Sequence, residues 1–244
     1  MQVLQDAFSE KKVIRHGNRV TKTNTTIEGP LRVSNEAAAL RFLRENTTIP
    51  VPKVYNTTET SITMEFVEGS TLEEAWKDLS DIEIAAIGEQ LRDYLTQLRS
   101  LRGPFIGSFD GGPAVDCRVF VNEGGPSRTV PEYIDFVLSD PPNWPGAAPM
   151  HSIVRSQMRP HYDVVFTHGD LEPVNILVEE SRIKAIIDWE YAGYYPEYLG
   201  YVSALRGTTW RPPYYATLLD IFPQRYDTEY VADFLVSRIT RNGM

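Results

Sequence analysis

Apolar and polar positions alternate with a period of two through "KKVIR" and again through "RVTKT". The two runs flank His16-Gly17-Asn18, a glycine-centred turn signal, so a β-hairpin is predicted over about 11–24 with Lys22 on its second strand. Gly29-Pro30 then interrupts the chain. Ser34 is expected to cap a helix that runs to about Asn46, with Ala38, Phe42 and Leu43 marking its apolar side, and "IPVP" ends it. "KVYNT" and "SITMEFV" read as two further strands. Gly69 breaks the pattern, which places a boundary between two lobes near residues 66–69.

Beyond that boundary the period changes. Thr71 with Glu74 and Ser80 with Glu83 both have the spacing of a capping box, in which a hydroxyl and a carboxylate satisfy free N–H groups reciprocally. Ile84, Ile87, Leu91, Leu95 and Leu98 then recur at helical spacing, as the buried stripe of a core helix does. Residues 103–128 and 139–149 are rich in glycine and proline and read as loops around a short helix that Thr129 and Glu132 cap. The tail from Glu197 onward predicts two or three helices, with Tyr194, Tyr195, Tyr198, Tyr201, Tyr214 and Tyr215 supplying bulk. The sequence contains no internal repeat.

The least ordinary stretch is "FTHGDLEPVNILVEESRIKAIIDWEYAG", residues 166–193, where short apolar runs surround a polar centre. Residues 164–167, 175–178 and 183–187 read as strands, with Glu180-Ser181-Arg182 turning between the last two. In that hairpin Asn175 and Asp188 are symmetric about the Ser181–Arg182 bond and meet at its open end. Asp170 lies on the loop that enters it. Two carboxylates and an amide oxygen thus converge, and this donor set suits Mg²⁺, a hard cation held by one or two carboxylates together with substrate phosphates. The structural alternative, in which each residue only caps a turn, explains any one of them better than it explains the three in this order.

Composition narrows the picture. A chain of 244 residues, 42% of them hydrophobic, is long enough for one large domain or two small ones. A net charge of −9 disfavours a nucleic-acid partner, because phosphate-backbone binding needs clustered Lys and Arg. The single cysteine, Cys117, excludes an internal disulfide and a cysteine-based metal site. The start, "MQVLQDAFSEKK", lacks a signal peptide's apolar core, and no run approaches the roughly 20 residues that span a bilayer. These features predict a soluble, cytoplasmic protein that does not engage a membrane.

"HGDLEPVN" and "DWE" resemble the H-x-D-x-x-x-x-N and D-[FW]-x segments of kinase-like phosphotransferases. Read with "IIDWEYAGYYP", they resemble the aminoglycoside phosphotransferase and choline kinase-like family, particularly its fungal-type members, over most of the chain from about Val13 to Tyr201. The resemblance implies an α+β, two-lobed protein-kinase-like fold. A small β-rich nucleotide-binding lobe would occupy residues 1–67, and a mainly helical catalytic and acceptor-binding lobe residues 68–244. It implies transfer of the γ-phosphoryl group of ATP to a hydroxyl of a small molecule. His168 would begin the catalytic motif and Asp170 would act as base. Asn175 and Asp188 would hold Mg²⁺, Lys22 would grip the phosphates with Glu36 as its partner, and Glu65 and Val67 would meet the adenine edge through their backbone.

The chain also departs from the kinase pattern. It has no G-x-G-x-x-G loop, Gly169 stands where protein kinases carry arginine, and no A-P-E follows Asp188, which favours small-molecule acceptors. Glu190 replaces the glycine of D-F-G and Glu172 adds an acid beside the catalytic loop; both are read first as solvated or salt-bridged and second as attractors of a cationic acceptor. Two other functions stay open: a kinase-fold protein that binds a ligand without transferring phosphate, and one turned to another reaction on a natural product. The acceptor and the oligomeric state are not readable from these residues.

Overall fold

The computed structural model describes residues 2–5, 11–24, 33–116, 122–139, 147–159, 161–206 and 212–242; Gly29, Pro30 and Cys117 lie outside them. The strands, in chain order, are β1 (Gln2–Gln5), β2 (Lys11–His16), β3 (Arg19–Asn24), β4 (Val54–Thr57), β5 (Ser61–Glu65), β6 (Ser70–Thr71), β7 (Gly107–Ser108), β8 (Ala114–Asp116), β9 (Asn122–Gly124), β10 (Val164–Thr167), β11 (Ile176–Glu179), β12 (Arg182–Ile186) and β13 (Gly193–Pro196). The helices are α1 (Val33–Asn46), α2 (Leu72–Ala75), α3 (Asp81–Ser100), α4 (Val130–Leu138), α5 (Ala147–Gln157), α6 (Leu199–Arg206), α7 (Pro212–Ile221) and α8 (Asp227–Asn242). The fold is α+β, with a β-rich amino-terminal part and a mainly helical carboxy-terminal part. No described helix is long and apolar enough to cross a membrane.

The chain forms two compact units. The first comprises Met1–Tyr94 and Asp170–Ala192, the second Leu95–Gly169 and Gly193–Met244.

In the first unit an antiparallel sheet runs in the order β1-β2-β3-β5-β4. The β2–β3 hairpin closes through Gly17, whose φ of +62° suits a residue without Cβ, and pairs Lys22 with Val13 on one side and with Ile62 on the other. Strand β1, on the far side of β2, has no counterpart in the periodicity reading. Helix α1 ends at Asn46 as expected. It already includes Ser34 in its first turn, and its buried residues are Val33, Asn35, Glu36, Ala37, Ala39, Leu40 and Leu43, with Ala38 and Phe42 only half-buried. Two polar residues turned inward rotate the helix away from the face that apolar content alone selects. Both capping boxes form: Glu74 N–H donates to Thr71 Oγ1 (3.2 Å) and Thr71 N–H to Glu74 Oε2 (3.1 Å), while Ser80 N–H donates to Glu83 Oε2 (2.8 Å). A second sheet, β12-β11-β6, carries the predicted hairpin. Gln90 on α3 buttresses it, donating to Ser181 O (2.8 Å) and accepting from Ile183 N–H (3.1 Å).

In the second unit β10, β13 and β7 form a three-stranded sheet, and Phe166, Tyr195, Tyr201 and Tyr226 are among its fully buried side chains. Tyr195, Tyr198, Tyr201 and Tyr214 are buried and Tyr194 is half-buried, while the side chain of Tyr215 lies outside the described set. Thr129 caps α4, accepting from Glu132 N–H at 3.3 Å. Helices α6, α7 and α8 fill the tail. The half-buried guanidinium of Arg206 binds Asp233 bidentately (2.7 and 2.6 Å), the geometry in which an arginine–carboxylate pair is strongest. Gly193 has a steric reason: a Cβ there would stand 2.2 Å from the carbonyl oxygen of Gly107, on the paired strand β7. Overpacking of this kind costs about 1–3 kcal/mol, so Gly193→Ala is expected to lower the free energy of unfolding in urea by that amount.

Candidate active site

Chemistry-bearing side chains gather in the first unit around one buried ammonium. Lys22 Nζ lies 3.1 Å from Glu36 Oε2, 2.5 Å from Asp188 Oδ1 and 3.2 Å from Glu190 Oε2. Each partner comes from a different element. The β2–β3 hairpin turns Lys22 inward, the first turn of α1 supplies Glu36, and the turn Trp189–Tyr191 that follows β12 supplies Asp188 and Glu190. Asp188 takes a left-handed conformation (φ 63°, ψ 59°), uncommon outside glycine, asparagine and aspartate. Trp189, fully buried and donating from Nε1 to Ile186 O at 2.8 Å, anchors the turn behind it.

The electrostatics are lopsided, with three carboxylates facing one ammonium. Burial would pull the Lys22 pKa down, but the charges of Glu36, Asp188 and Glu190 outweigh it and hold the ammonium above the ordinary lysine range. Glu36 is 2% exposed; burial pushes its carboxyl up, and Asp188 and Glu190 add to the effect against the opposing pull of Lys22. Its second oxygen, Oε1, is buried without a hydrogen-bond partner among the described residues.

Asp170 and Asn175 form the next cluster. Asn175 Nδ2 donates to the backbone carbonyl of Asp170 (2.9 Å) and to its Oδ2 (3.1 Å), which fixes the carboxylate and leaves Oδ1 as Asn175's remaining ligand atom. Asn175 closes a 3-10 turn, Pro173–Asn175, and the strand begins at Ile176, one residue later than the apolar run suggests. The hairpin register also differs by one. Ile176 pairs with Ile186, and Asn175 O accepts from Ile187 N–H (2.9 Å) where symmetry predicts Asp188. The turn closes on Glu180-Ser181, with Glu179 paired to Arg182, an irregularity between Leu177 and Val178 recovers one residue of the offset, and Asp188 leaves the ladder for its left-handed turn.

Glu172, half-buried, has its carboxyl pushed up by burial and by the charges of Asp170 and Glu73. At the end of β5, Glu65 N–H donates to Lys53 O (2.8 Å) and Phe66 N–H to Asn18 O (2.9 Å), whereas no described residue accepts the N–H of Val67. The Arg15 guanidinium lies 3.7 Å from the centre of the Phe66 ring and pairs with Glu68. His168 belongs to the second unit, at the end of β10, where it is 2% exposed; Gly169 follows with φ +88°.

The fit of a metal can be judged from these atoms. Glu36, Asp188 and Glu190 each offer an oxygen, all within 4.8 Å of one another, and Glu36 Oε1 has no hydrogen-bond partner among the described residues. These oxygens already hold the Lys22 ammonium, and of the three only Asp188, at the more exposed end, is left to serve a hard cation as well. The role of Glu190 was not legible beforehand. The acid stands three places before a glycine in "DWEYAG", and only the turn that follows β12 shows that it faces the lysine.

A lysine on a strand held by a helix glutamate, beside an aspartate on the turn after a hairpin, belongs to the protein-kinase-like class. Residues 15–235 match the model of the phosphotransferase enzyme family, and the chain belongs to that family. Solved structures agree in fold. The streptomycin–ATP ternary complex of APH(2")-IIa is 14% identical (95% of this chain, 80% of that chain, TM-score 0.60). Macrolide 2'-phosphotransferase MphH from Brachybacterium faecium is 14% identical (98% and 82%, TM-score 0.59). An aminoglycoside-3'-phosphotransferase of type VIII is 17% identical (95% and 89%, TM-score 0.59). The comparison with curated protein sequences finds no match.

Two outcomes follow. Lys22→Met leaves three carboxylates around an apolar tip and is expected to cost about 3–5 kcal/mol at pH 7, as loss of one partner of a buried ion pair does. Because the Lys22 pKa is raised, its contribution is complete below the ordinary lysine value and is lost only as pH rises through the raised one. In the variant the penalty shrinks as acid protonates Glu36, which chemical unfolding at pH 7 and pH 5 would reveal. Glu172 behaves oppositely to an acid stabilised by a partner. Its raised pKa favours the fold below the ordinary glutamate value, and that contribution is lost as pH rises through the raised value. Glu172→Gln is therefore expected to raise the melting temperature at pH 7 and leave it unchanged at pH 4.

Proposed function

We propose that the protein transfers the γ-phosphoryl group of ATP to a hydroxyl of a small molecule. The observation that carries this reading is the Lys22–Glu36 pair with Asp188 on the same ammonium, an arrangement suited to an anionic triphosphate accompanied by a cation. Residues 1–67 would bind the nucleotide and residues 68–244 would carry catalysis and the acceptor. The segment 170–192, with Asp170, Asn175 and Asp188, clusters with the β-rich unit.

In this reading Lys22 neutralises phosphate oxygens, and Glu36 holds it extended toward them. The carbonyl of Glu65 and the N–H of Val67 take the adenine edge. Asn175 Oδ1 and the Asp188 carboxylate hold Mg²⁺, whose contribution when bound is charge neutralisation on the phosphates. Asp170, oriented by the amide of Asn175, accepts the acceptor's hydroxyl proton as the hydroxyl oxygen bonds to the γ-phosphorus, while the bond from that phosphorus to the β,γ-bridging oxygen breaks and its electron pair leaves with ADP. His168, buried at the head of the motif, keeps its part in the catalytic segment. Most of the rate enhancement is positioning and charge stabilisation. A cytoplasmic location follows from the use of ATP.

Aminoglycosides and macrolides are acceptors of proteins with this fold, and neither is assigned to this chain. Incubation with γ-labelled ATP, Mg²⁺ and a panel of amino-alcohols, aminoglycosides and sugars tests the reading. Label must enter one class of hydroxyl, and transfer to none of them with no nucleotide binding would overturn it. Asp170→Asn is expected to lower turnover by about 10²–10⁴-fold, the contribution of a positioned acid–base group, with the Kd for Mg-ATP nearly unchanged by calorimetry. Undiminished turnover would remove Asp170 from the role of base.

A further inference from the structure

Asn35 is 2% exposed, precedes Glu36 in the first turn of α1, and takes no part in the chemistry proposed above. Its Nδ2 donates to two backbone carbonyls of another element, Glu190 O and Ala192 O, each at 2.8 Å. Both carbonyls belong to the turn that follows Asp188, and Glu190 and Ala192 are buried. An amide nitrogen offers two hydrogens, which match the two acceptors; an aspartate would set oxygen against oxygen, and a serine could reach only one.

We infer that Asn35 is a positioning residue, which pins α1 to the turn 189–192 and so fixes Glu36 and Glu190 about Lys22 Nζ. The inference rests on the phosphotransferase reading, since Lys22 matters to activity only if it meets a nucleotide. The geometry is a short closed loop. Glu36 and Asn35 are neighbours on α1, Glu190 supplies one carbonyl to Asn35 and its carboxylate to Lys22, and Lys22 binds Glu36. Removing the amide opens the loop where the Asn35 side chain joins helix and turn. In protein kinases the placement of the glutamate helix controls whether the lysine–glutamate pair is made. Here a buried side chain holds that helix to the turn, so the pair stands assembled without a regulatory signal.

The test compares Asn35→Ala and Asn35→Ser with Gln90→Ala, which loses two hydrogen bonds to the β11–β12 turn in the same unit but touches neither Lys22 nor its acids. Three quantities are read: melting temperature, Kd for Mg-ATP well below that temperature, and hydrogen exchange of the α1 amides without nucleotide. All three variants are expected to melt lower. Only Asn35→Ala should also weaken Mg-ATP binding by roughly tenfold and speed exchange in α1, with Asn35→Ser between it and the wild type. In a Glu36→Gln background the further loss from Asn35→Ala should fall below about threefold, because the two then act through one interaction. Should Asn35→Ala fail to fold, Asn35→Ser decides alone. A Kd within about twofold of the wild type, or α1 exchange no faster than in Gln90→Ala, overturns the inference. If the wild type itself binds no nucleotide the phosphotransferase reading fails instead, and the exchange rates of α1 still decide whether Asn35 pins the helix.

Discussion

One ammonium organises this protein's candidate site. Lys22 Nζ is buried on a β-strand and meets three carboxylates drawn from a helix and a turn that are far apart in sequence. Burying a charge is costly unless it is paired, and here the pairing is excessive, one positive charge against three negative ones. The surplus explains the unusual features nearby. The lysine is held protonated, Glu36 is pushed toward its neutral form with one oxygen unpartnered, and Asp188 is kept at the surface end of the cluster, its side chain 33% exposed.

The surrounding elements are arranged to hold that cluster. The glycine turn sets the β2–β3 register that points Lys22 inward, Asn35 ties α1 to the turn 189–192, and Trp189 fills the space behind Asp188. Asp170 and Asn175 form a pair locked by a side-chain amide, which orients the residue proposed to take a proton.

Much of this was legible in the sequence because it is local. The hairpin, both capping boxes, the Thr129 cap and the strand carrying Lys22 each depend on residues within a few positions of one another, and the motif residues 168–188 occupy turn and strand ends that the pattern marks. What was not legible depends on distant partners. Glu190 reads as a solvated or salt-bridged acid until the turn shows which lysine it meets. Asn35 reads as a polar helix residue, and its burial rotates α1 away from the face that Ala38 and Phe42 suggest. The hairpin register differs by one residue because the turn closes on Glu180-Ser181, between the paired Glu179 and Arg182, and the irregularity at Leu177 and Val178 recovers only part of that offset. Helix α5 goes unread because Pro149 signals a break, although proline is tolerated in a first turn, where its missing N–H has no partner to lose.

In the proposed reading Lys22 exchanges carboxylate partners for phosphate oxygens while Glu36 keeps hold of it. A crystal structure with Mg²⁺ and a non-hydrolysable ATP analogue tests this most directly. The account predicts Lys22 Nζ within hydrogen-bond distance of both a phosphate oxygen and Glu36, with the Asp188 carboxylate turned from the lysine to the metal. A bound nucleotide whose phosphates lie elsewhere, with Lys22 still on Asp188, would contradict it.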